Sequence, residues 1–501
     1  MKSILTLLLS LVAYVQVHAA DSTQLQILNE NLQPVAGADV YIGNVDRNET
    51  LKTDVNGMVD IPTSWKASFP VTVTAAGYLK STFLDVYPTD TTLQLHREDQ
   101  KGVMEVKGET TDYDNLKKDG KVDFALVYPG LRLRQLAQFD VQSVISPDSD
   151  EIKILTETAA VPSNLSLPKQ KETYMLPITL EKPVYRMSFK QTGDYRLIAM
   201  HGQFPINKVV GDLRAGKAFY EIINHFSIKG GGQKDVTINS SVDGQNIPVN
   251  QLKFNKTITV KGVPLPDDQV MFSFSLAKQA NIYFPSDVKR ILPTDTTQLV
   301  LPENSEQNSI VSVIMPKTEA SGIGGSAEED GKAKVDDSVV DPLPQFKNLF
   351  DGALRFFNIS FEETEMNRGI GGMSSARHNE SEPTPLFLGL VGRPTFNDGV
   401  ITLAQPPLVA GIEPVATYAI LSEVERTPKG NYTIERNFRV WEVAQLGWAD
   451  QLQLPVGTFN FTPGKSYRWD VLFMGRRIGY NNTGEYFLDG VTHVTRNSID
   501  F

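Results

Sequence analysis

The sequence predicts a mostly β protein: several antiparallel β-sandwich domains, one minor helical element and a flexible linker. Three observations predict it. Short runs alternate apolar and polar residues, as in Val71-Thr72-Val73-Thr74. Turn residues punctuate those runs, with 37 Gly and 29 Pro among 501 residues. Only one stretch carries apolar residues at helical spacing, over residues 212–226. At roughly 100–200 residues per domain the length accommodates about three or four domains. There is no cysteine, so disulfides, thiol nucleophiles and thiolate metal sites are excluded. A formal net charge of −11 without a basic cluster argues against nucleic-acid partners and anionic lipid.

Residues 1–20 read as a signal peptide. Lys2 precedes an apolar run from Ile4 to Val15, and Val17-His18-Ala19-Ala20 places small residues at a cleavage site. The run is too short to span a bilayer, and no later stretch is longer, so no membrane span is expected. An exported chain without cysteine must rely on core burial, which favours a bacterial protein that is periplasmic, on the cell surface or extracellular.

Residues 21–98 form the first module. Gln24-Leu25-Gln26-Ile27-Leu28 reads as a strand, and Pro34 to Ile42 sets Gly37 before another. Asp54-Val55-Asn56-Gly57 is expected to be a hairpin turn, its Asn-Gly pair tolerating positive φ. Val71 to Ala75 alternates strictly and closes on Ala76-Gly77-Tyr78, and Leu93-Gln94-Leu95 ends the unit. Seven or so short strands imply a small antiparallel sandwich. The order Pro34-Val-Ala-Gly-Ala-Asp-Val, Thr53-Asp-Val-Asn-Gly-Met-Val, Ala76-Gly77-Tyr78 resembles the carboxypeptidase regulatory-like domain, a transthyretin-like sandwich. The resemblance implies the fold, and carbohydrate binding as one function among several. Metallocarboxypeptidases add a zinc domain with His and Glu three apart. None of His96, His201, His225, His378 and His493 has Glu at the third following position, so that catalytic domain is not expected, and no metal or cofactor is assigned.

Residues 99–316 read as one or two further sandwiches. Phe124 to Tyr128, Ile152 to Leu155, Val236 to Ile238 and Val270 to Phe274 are strand-like. Leu213, Phe219, Ile222, Ile223 and Phe226 share one helical face, with Asp212 as N-cap and His225 turned to a polar partner. Pro88-Thr-Asp-Thr-Thr92 recurs as Pro293-Thr-Asp-Thr-Thr297; a second related sandwich and chance explain this equally.

Residues 317–345 turn to Gly, Ser, Ala and acid, a flexible linker that cannot offset its ordering entropy. Phe346 to Phe361 reads as a short helix, followed by a loose stretch from Met366 to Glu382. Residues 384–501 recover β pattern. Phe461-Thr-Pro-Gly-Lys-Ser-Tyr467 is similar to the tyrosine corner of a fibronectin type III domain, which gives Tyr467 a structural role. Ala404 stands where that family carries a core tryptophan, leaving Trp441 or Trp469 to fill the volume.

Chemistry is sparse. Gly372-Met-Ser-Ser-Ala376 approaches a nucleophile elbow but lies in the loose stretch. Asp148-Ser149-Asp150-Glu151 and Asp267-Asp268 carry carboxylates suited to calcium without an EF-hand register. Trp65, Tyr87 and Trp448 are candidate platforms for sugar rings. The expected function is binding, adhesion or envelope scaffolding toward a glycan or cell-envelope protein, with no catalytic residue assigned. The alternative is a secreted hydrolase of polysaccharide or peptide with its active site in residues 99–316.

Overall fold

The computed structural model describes residues 23–43, 50–61, 67–89, 91–102, 104–113, 120–132, 135, 144–146, 148–154, 157–169, 181–215, 217, 219–280, 282–317, 359–360, 372–429, 432–457, 459–480 and 487–501. The leader, the 317–345 linker beyond Lys317 and Trp65 lie outside them. The chain is mostly β, with multiple antiparallel sheets. It divides into two compact units, residues 1–97 with 454–460, and residues 98–453 with 461–501.

The first unit contains β1 (Thr23–Asn29), β2 (Asp39–Ile42), β3 (Thr50–Lys52), β4 (Met58–Ile61), β5 (Phe69–Thr74), β6 (Lys80–Val86) and β7 (Thr91–Leu95). One sheet runs β4-β1-β7, with β1 and β7 parallel; the other runs β3-β2-β5-β6. Alternation does its work here: Leu25, Ile27, Val40, Ile42, Val71, Val73, Leu93 and Leu95 are all buried. The expected Asp54–Gly57 hairpin is a tight turn between strands of different sheets. Asp54 Oδ1 accepts from the Asn56 and Met58 amides at 2.8 Å each, so the bend is fixed by a side chain rather than by paired strands. Only Gly57 is left-handed, at φ +71°, and a Cβ there would sit 2.5 Å from the Ile27 carbonyl. Beside it, buried Thr53 Oγ1 accepts from the Ala38 amide (2.9 Å) and donates to the Val35 carbonyl (2.7 Å). That pair of bonds holds the Pro34–Val40 run against the turn.

In the second unit the strands that matter are β8 (Met104–Thr111), β9 (Lys121–Pro129), β10 (Val184–Phe189), β11 (Gly193–Pro205), β12 (Ser227–Ile238), β13 (Leu252–Lys261), β14 (Gln269–Gln279), β15 (Ile282–Ile291), β16 (Thr296–Pro302), β17 (Gln307–Pro316), β18 (Met373–His378), β19 (Ile412–Lys429), β20 (Tyr432–Leu446), β21 (Ser466–Arg477) and β22 (His493–Asp500). One antiparallel ladder runs β15-β14-β17-β18-β22-β21-β19-β20. Strands before residue 317 and after residue 372 therefore share one sheet. A second sheet runs β9-β11-β12-β13-β16. Phe124, Ile198, Ile258, Phe284, Ile310 and Ile314 belong to one buried cluster, and Val127, Tyr185, Leu197, Leu276 and Val313 to another.

Two local expectations are corrected. The stretch read as loose from Met366 to Glu382 contains β18, because Ser374, Ser375 and Ala376 are small enough to be buried on both faces of the ladder. The helix expected over 212–226 is two pieces, α1 (Ile206–Arg214) and α2 (Phe219–Ile222), the latter continued by a 3-10 turn to His225. Asp212 is not its N-cap but lies in the last turn of α1. The Ala215 and Lys217 amides close that turn onto the Gly211 and Asp212 carbonyls at 3.1 Å each. The Asp212 carboxylate then spans the break, accepting from Lys217 Nζ at 2.7 Å and meeting His225 Nε2 at 2.5 Å.

An irregular segment, residues 382–391, lies strapped to one face of the ladder. Its carbonyls are held by side chains: Glu382 by His378 Nδ1 (2.9 Å), Gly389 by Thr495 Oγ1 (2.9 Å) and Val391 by Asn497 Nδ2 (2.8 Å). His493 reaches the backbone of Leu386 in the same way. Leu388 is fully buried beneath the strap.

Candidate binding surface

Most titratable clusters in the second unit are buried and mutually satisfied. Asp148 and Asp150, nominated for calcium, lie against Arg186, and Asp150 also meets Lys182 at 3.1 Å. Asp267 and Asp268 are exposed turn residues. His201 Nε2 meets Asp123 Oδ1 at 2.8 Å with Tyr113 edge-on at 4.8 Å, all within the interior. His378 donates from Nδ1 to a carbonyl, so its Nε2 accepts from Ser312 Oγ at 2.8 Å, and Ser273 donates to Ser312 in turn. A serine–histidine pair and a histidine–aspartate pair thus exist on different histidines, and both are buried. Burial first, then the Arg477 charge, lowers the His378 pKa to about 4; burial, with Arg477, His378 and Arg377 adding, does the same for His493.

The nominated aromatics separate. Tyr87 is exposed in the first unit. Trp448 is half-buried in the second, its indole N–H donating to the Met474 carbonyl at 2.8 Å. Tyr467 accepts from the Thr462 amide at 3.2 Å through its hydroxyl.

Trp448 belongs to one end of the β19-β20-β21 group. The register pairs Ile412 with Arg477, and Ala416 with both Leu446 and Met474. The start of β19 and the ends of β20 and β21 therefore meet, and their loops cluster. This end exposes large apolar side chains: Leu408 (77%), Ile478 (64%), Leu446 at the last position of β20 (62%) and, less fully, Tyr480 (38%). Backbone bonds pin the turns beside Ile478 and Leu446, from Ile478 N–H to Gly411 O at 2.9 Å and from Gly447 N–H to Val415 O at 2.8 Å. Gly411 at φ +89° and Gly479 at φ +81° set the turns. Ordered loops holding uncovered apolar groups lose little freedom on binding, so the gain from burial is retained as affinity.

Charges rim this end. Arg476 meets Glu413 at 2.5 Å, and Arg477 pairs with Glu382. Arg377 Nη2 donates to the Tyr480 hydroxyl at 2.9 Å, with the guanidinium 5.2 Å from the ring centre. Leu408, Leu446 and Ile478 carry no sequence signal, since an exposed Leu or Ile reads like a core one until the fold is known.

Among the described residues, no helix is long and apolar enough to cross a membrane. No family model matches the chain, and no curated protein does. The chain is similar to several solved β structures, all at low structural overlap. The Bacillus anthracis TIE protein shares 11% identity over 58% of this chain and 44% of its own length, with a TM-score of 0.16. BcpA, the major pilin subunit of Bacillus cereus, shares 11% identity over 58% of this chain and 86% of its own, with a TM-score of 0.15. A Bacteroides uniformis protein provisionally classed as carbohydrate binding shares 9% identity over 36% of this chain and 89% of its own, with a TM-score of 0.13.

Proposed function

We propose that this chain is an exported binding protein of the cell envelope or surface, and that the loop end of β19, β20 and β21 is its recognition face. The observation that carries the reading is the exposure of Leu408, Leu446 and Ile478 at one strand end, where backbone bonds fix the turns beside Leu446 and Ile478. The partner is a glycan or an envelope protein; the half-buried Trp448 and exposed Tyr480 suit the apolar face of a sugar ring. The leader at 1–20 and the carboxypeptidase regulatory-like module at 21–98 complete this reading as parts that deliver the recognition face, whereas 317–345 runs between β17 and β18, neighbours in one ladder, and so separates no domains. A hydrolase working within residues 99–316 would draw on Asp123 and His201, which the fold buries and surrounds with Tyr113 and Gln203, so recognition is preferred.

The test is retention on a glycan array and on cell-envelope fractions, for the wild type and for Leu446→Asp and Ile478→Asp. Each anchor, if buried on binding, contributes about 1.5–3 kcal/mol, so each variant loses roughly ten- to a hundredfold in affinity with folding unchanged. A wild type retained by no glycan and no envelope fraction overturns the reading.

A further inference from the structure

The ladder of the second unit carries a cationic, aromatic spot whose charges are not answered. Arg476 and Arg477 each lie against a glutamate, and Arg468 against Glu435 and Asp500. Arg377, half-buried on β18, has no carboxylate partner among the described residues. Its Nε is buried without an acceptor, and its bond to the Tyr480 hydroxyl leaves the rest of the fork unused. Lys278, on β14, lies with its ammonium 5.7 Å from the centre of the Tyr283 ring and likewise has no carboxylate within ion-pair distance among the described residues. Glu306, just before the adjoining strand β17, is the near acid, and it accepts from the Ala280 amide instead.

Tyr283 pairs with Lys278 in the β14–β15 register, and Lys278 and Arg377 oppose Gln307 and Val311 of the intervening β17, which places both cations on one face of the ladder. Arg477, the neighbouring cation, is compensated by Glu382, which leaves Arg377 without a carboxylate among the described residues. In a chain of net charge −11 such a spot runs against the general field. Arg377 is half-buried and has no carboxylate partner among the described residues, and a planar fork with unused donors matches a carboxylate.

Taking the proposed recognition role as given, we infer that Arg377, Lys278, Tyr283 and Tyr480 seat the carboxylate of an acidic sugar. Arg377 donates to the carboxylate, Lys278 supplies a second charge, and the exposed Tyr480 carries the pyranose face. The ligand class is thus a uronic-acid-type glycan rather than a neutral one.

Titration of the full chain with trigalacturonate, its methyl ester, neutral galactotriose and poly-glutamate tests this. Trigalacturonate should bind at least about tenfold tighter than its ester, and added salt should shrink the difference. Arg377→Gln should abolish the preference, and Arg377→Lys should restore only part of it because the fork is lost. Lys278→Gln, at a half-exposed position where folding is not at stake, should reduce it several-fold. Equal binding of acid and ester, or an Arg377→Gln variant that keeps the preference, overturns the inference while leaving glycan recognition standing. Poly-glutamate competing as well as trigalacturonate also overturns it, since the spot would then take any carboxylate. Failure of every glycan, with envelope fractions also unbound, defeats the recognition role itself.

Discussion

Trp441 and Trp469 close over Leu421 from opposite sides. Leu421 on β19 pairs with Trp441 on β20 and with Trp469 on β21, and the two indoles meet across it with ring centres 5.6 Å apart at 58°. Both rings are buried, and Phe396 extends the stack to Trp469 at 6.0 Å. Trp469→Ala should therefore lower unfolding free energy by about 3–5 kcal/mol, and Trp469→Phe by clearly less. Urea denaturation followed by far-UV circular dichroism measures both. A loss under about 1 kcal/mol for the alanine variant would mean the pair does not hold this core.

Arg468 is almost wholly buried and bonds Glu435 and Asp500, while Arg426 reaches the same two carboxylates at 3.3 and 2.8 Å. Burial opposes its charge, but the Asp500 and Glu435 bonds and charges outweigh that and push the Arg468 pKa further up. Arg468→Met leaves two carboxylates facing one arginine and should cost about 3–5 kcal/mol. Adding Glu435→Gln to Arg468→Met should recover part of the loss, a coupling that a double-mutant cycle reads directly.

The two histidines under the strap make stability depend on pH. An unfolded histidine titrates near 6.5, whereas His378 and His493 titrate at about 4 when folded. Between those values the unfolded chain binds protons that the folded chain refuses, so stability is complete above pH 6.5 and falls as pH drops toward 4. The fall amounts to on the order of 3 kcal/mol per histidine, seen as a shift of the urea midpoint between pH 7 and pH 4.5. His378→Gln, which keeps a donor for the Glu382 carbonyl, should remove about half of that dependence.

Asn497 gives a separate test of the strap. Its amide donates to the Val391 carbonyl, a buried bond, so Asn497→Ala should cost about 1–3 kcal/mol. Limited proteolysis should then cut within residues 382–391 sooner than in the wild type.

Asp99 adds an acid limb to the same profile. Burial raises its pKa, but the Arg439 and Lys190 charges outweigh this and hold it below the usual aspartate value. Its contribution is present above pH 3.8 and disappears as pH falls through the lower folded value. Asp99→Asn should remove the carboxylate that Lys190 and Arg439 share, leaving Arg439 only the longer contact to Glu442 at 3.5 Å and lowering the urea midpoint at pH 7.

The strands with clean alternation were readable from sequence, because Val71, Val73, Leu93 and Leu95 each face a core that one-dimensional pattern anticipates. The turn at Asp54–Gly57 was readable in place but not in partner, since a tight bend says nothing about which sheet each arm joins. β18 was hidden because Ser374, Ser375 and Ala376 lack the apolar signature of a strand. They are buried all the same, since neighbours on β17 and β22 flank them. The recognition face was hidden for a different reason: exposure of Ile478 or Leu408 is a property of the folded surface. Arg377 gave no cue either, because an arginine without a counter-ion looks like any other until the carboxylates around it are placed.

The position of β22 has a kinetic consequence. Residues 493–500 slot between β18 and β21, which are distant in sequence from each other, so both of those strands keep a bare hydrogen-bonding edge until β22 itself has been synthesised. Closure of this ladder must therefore wait for β22, and an emerging chain needs shielding against strand-to-strand aggregation in the meantime.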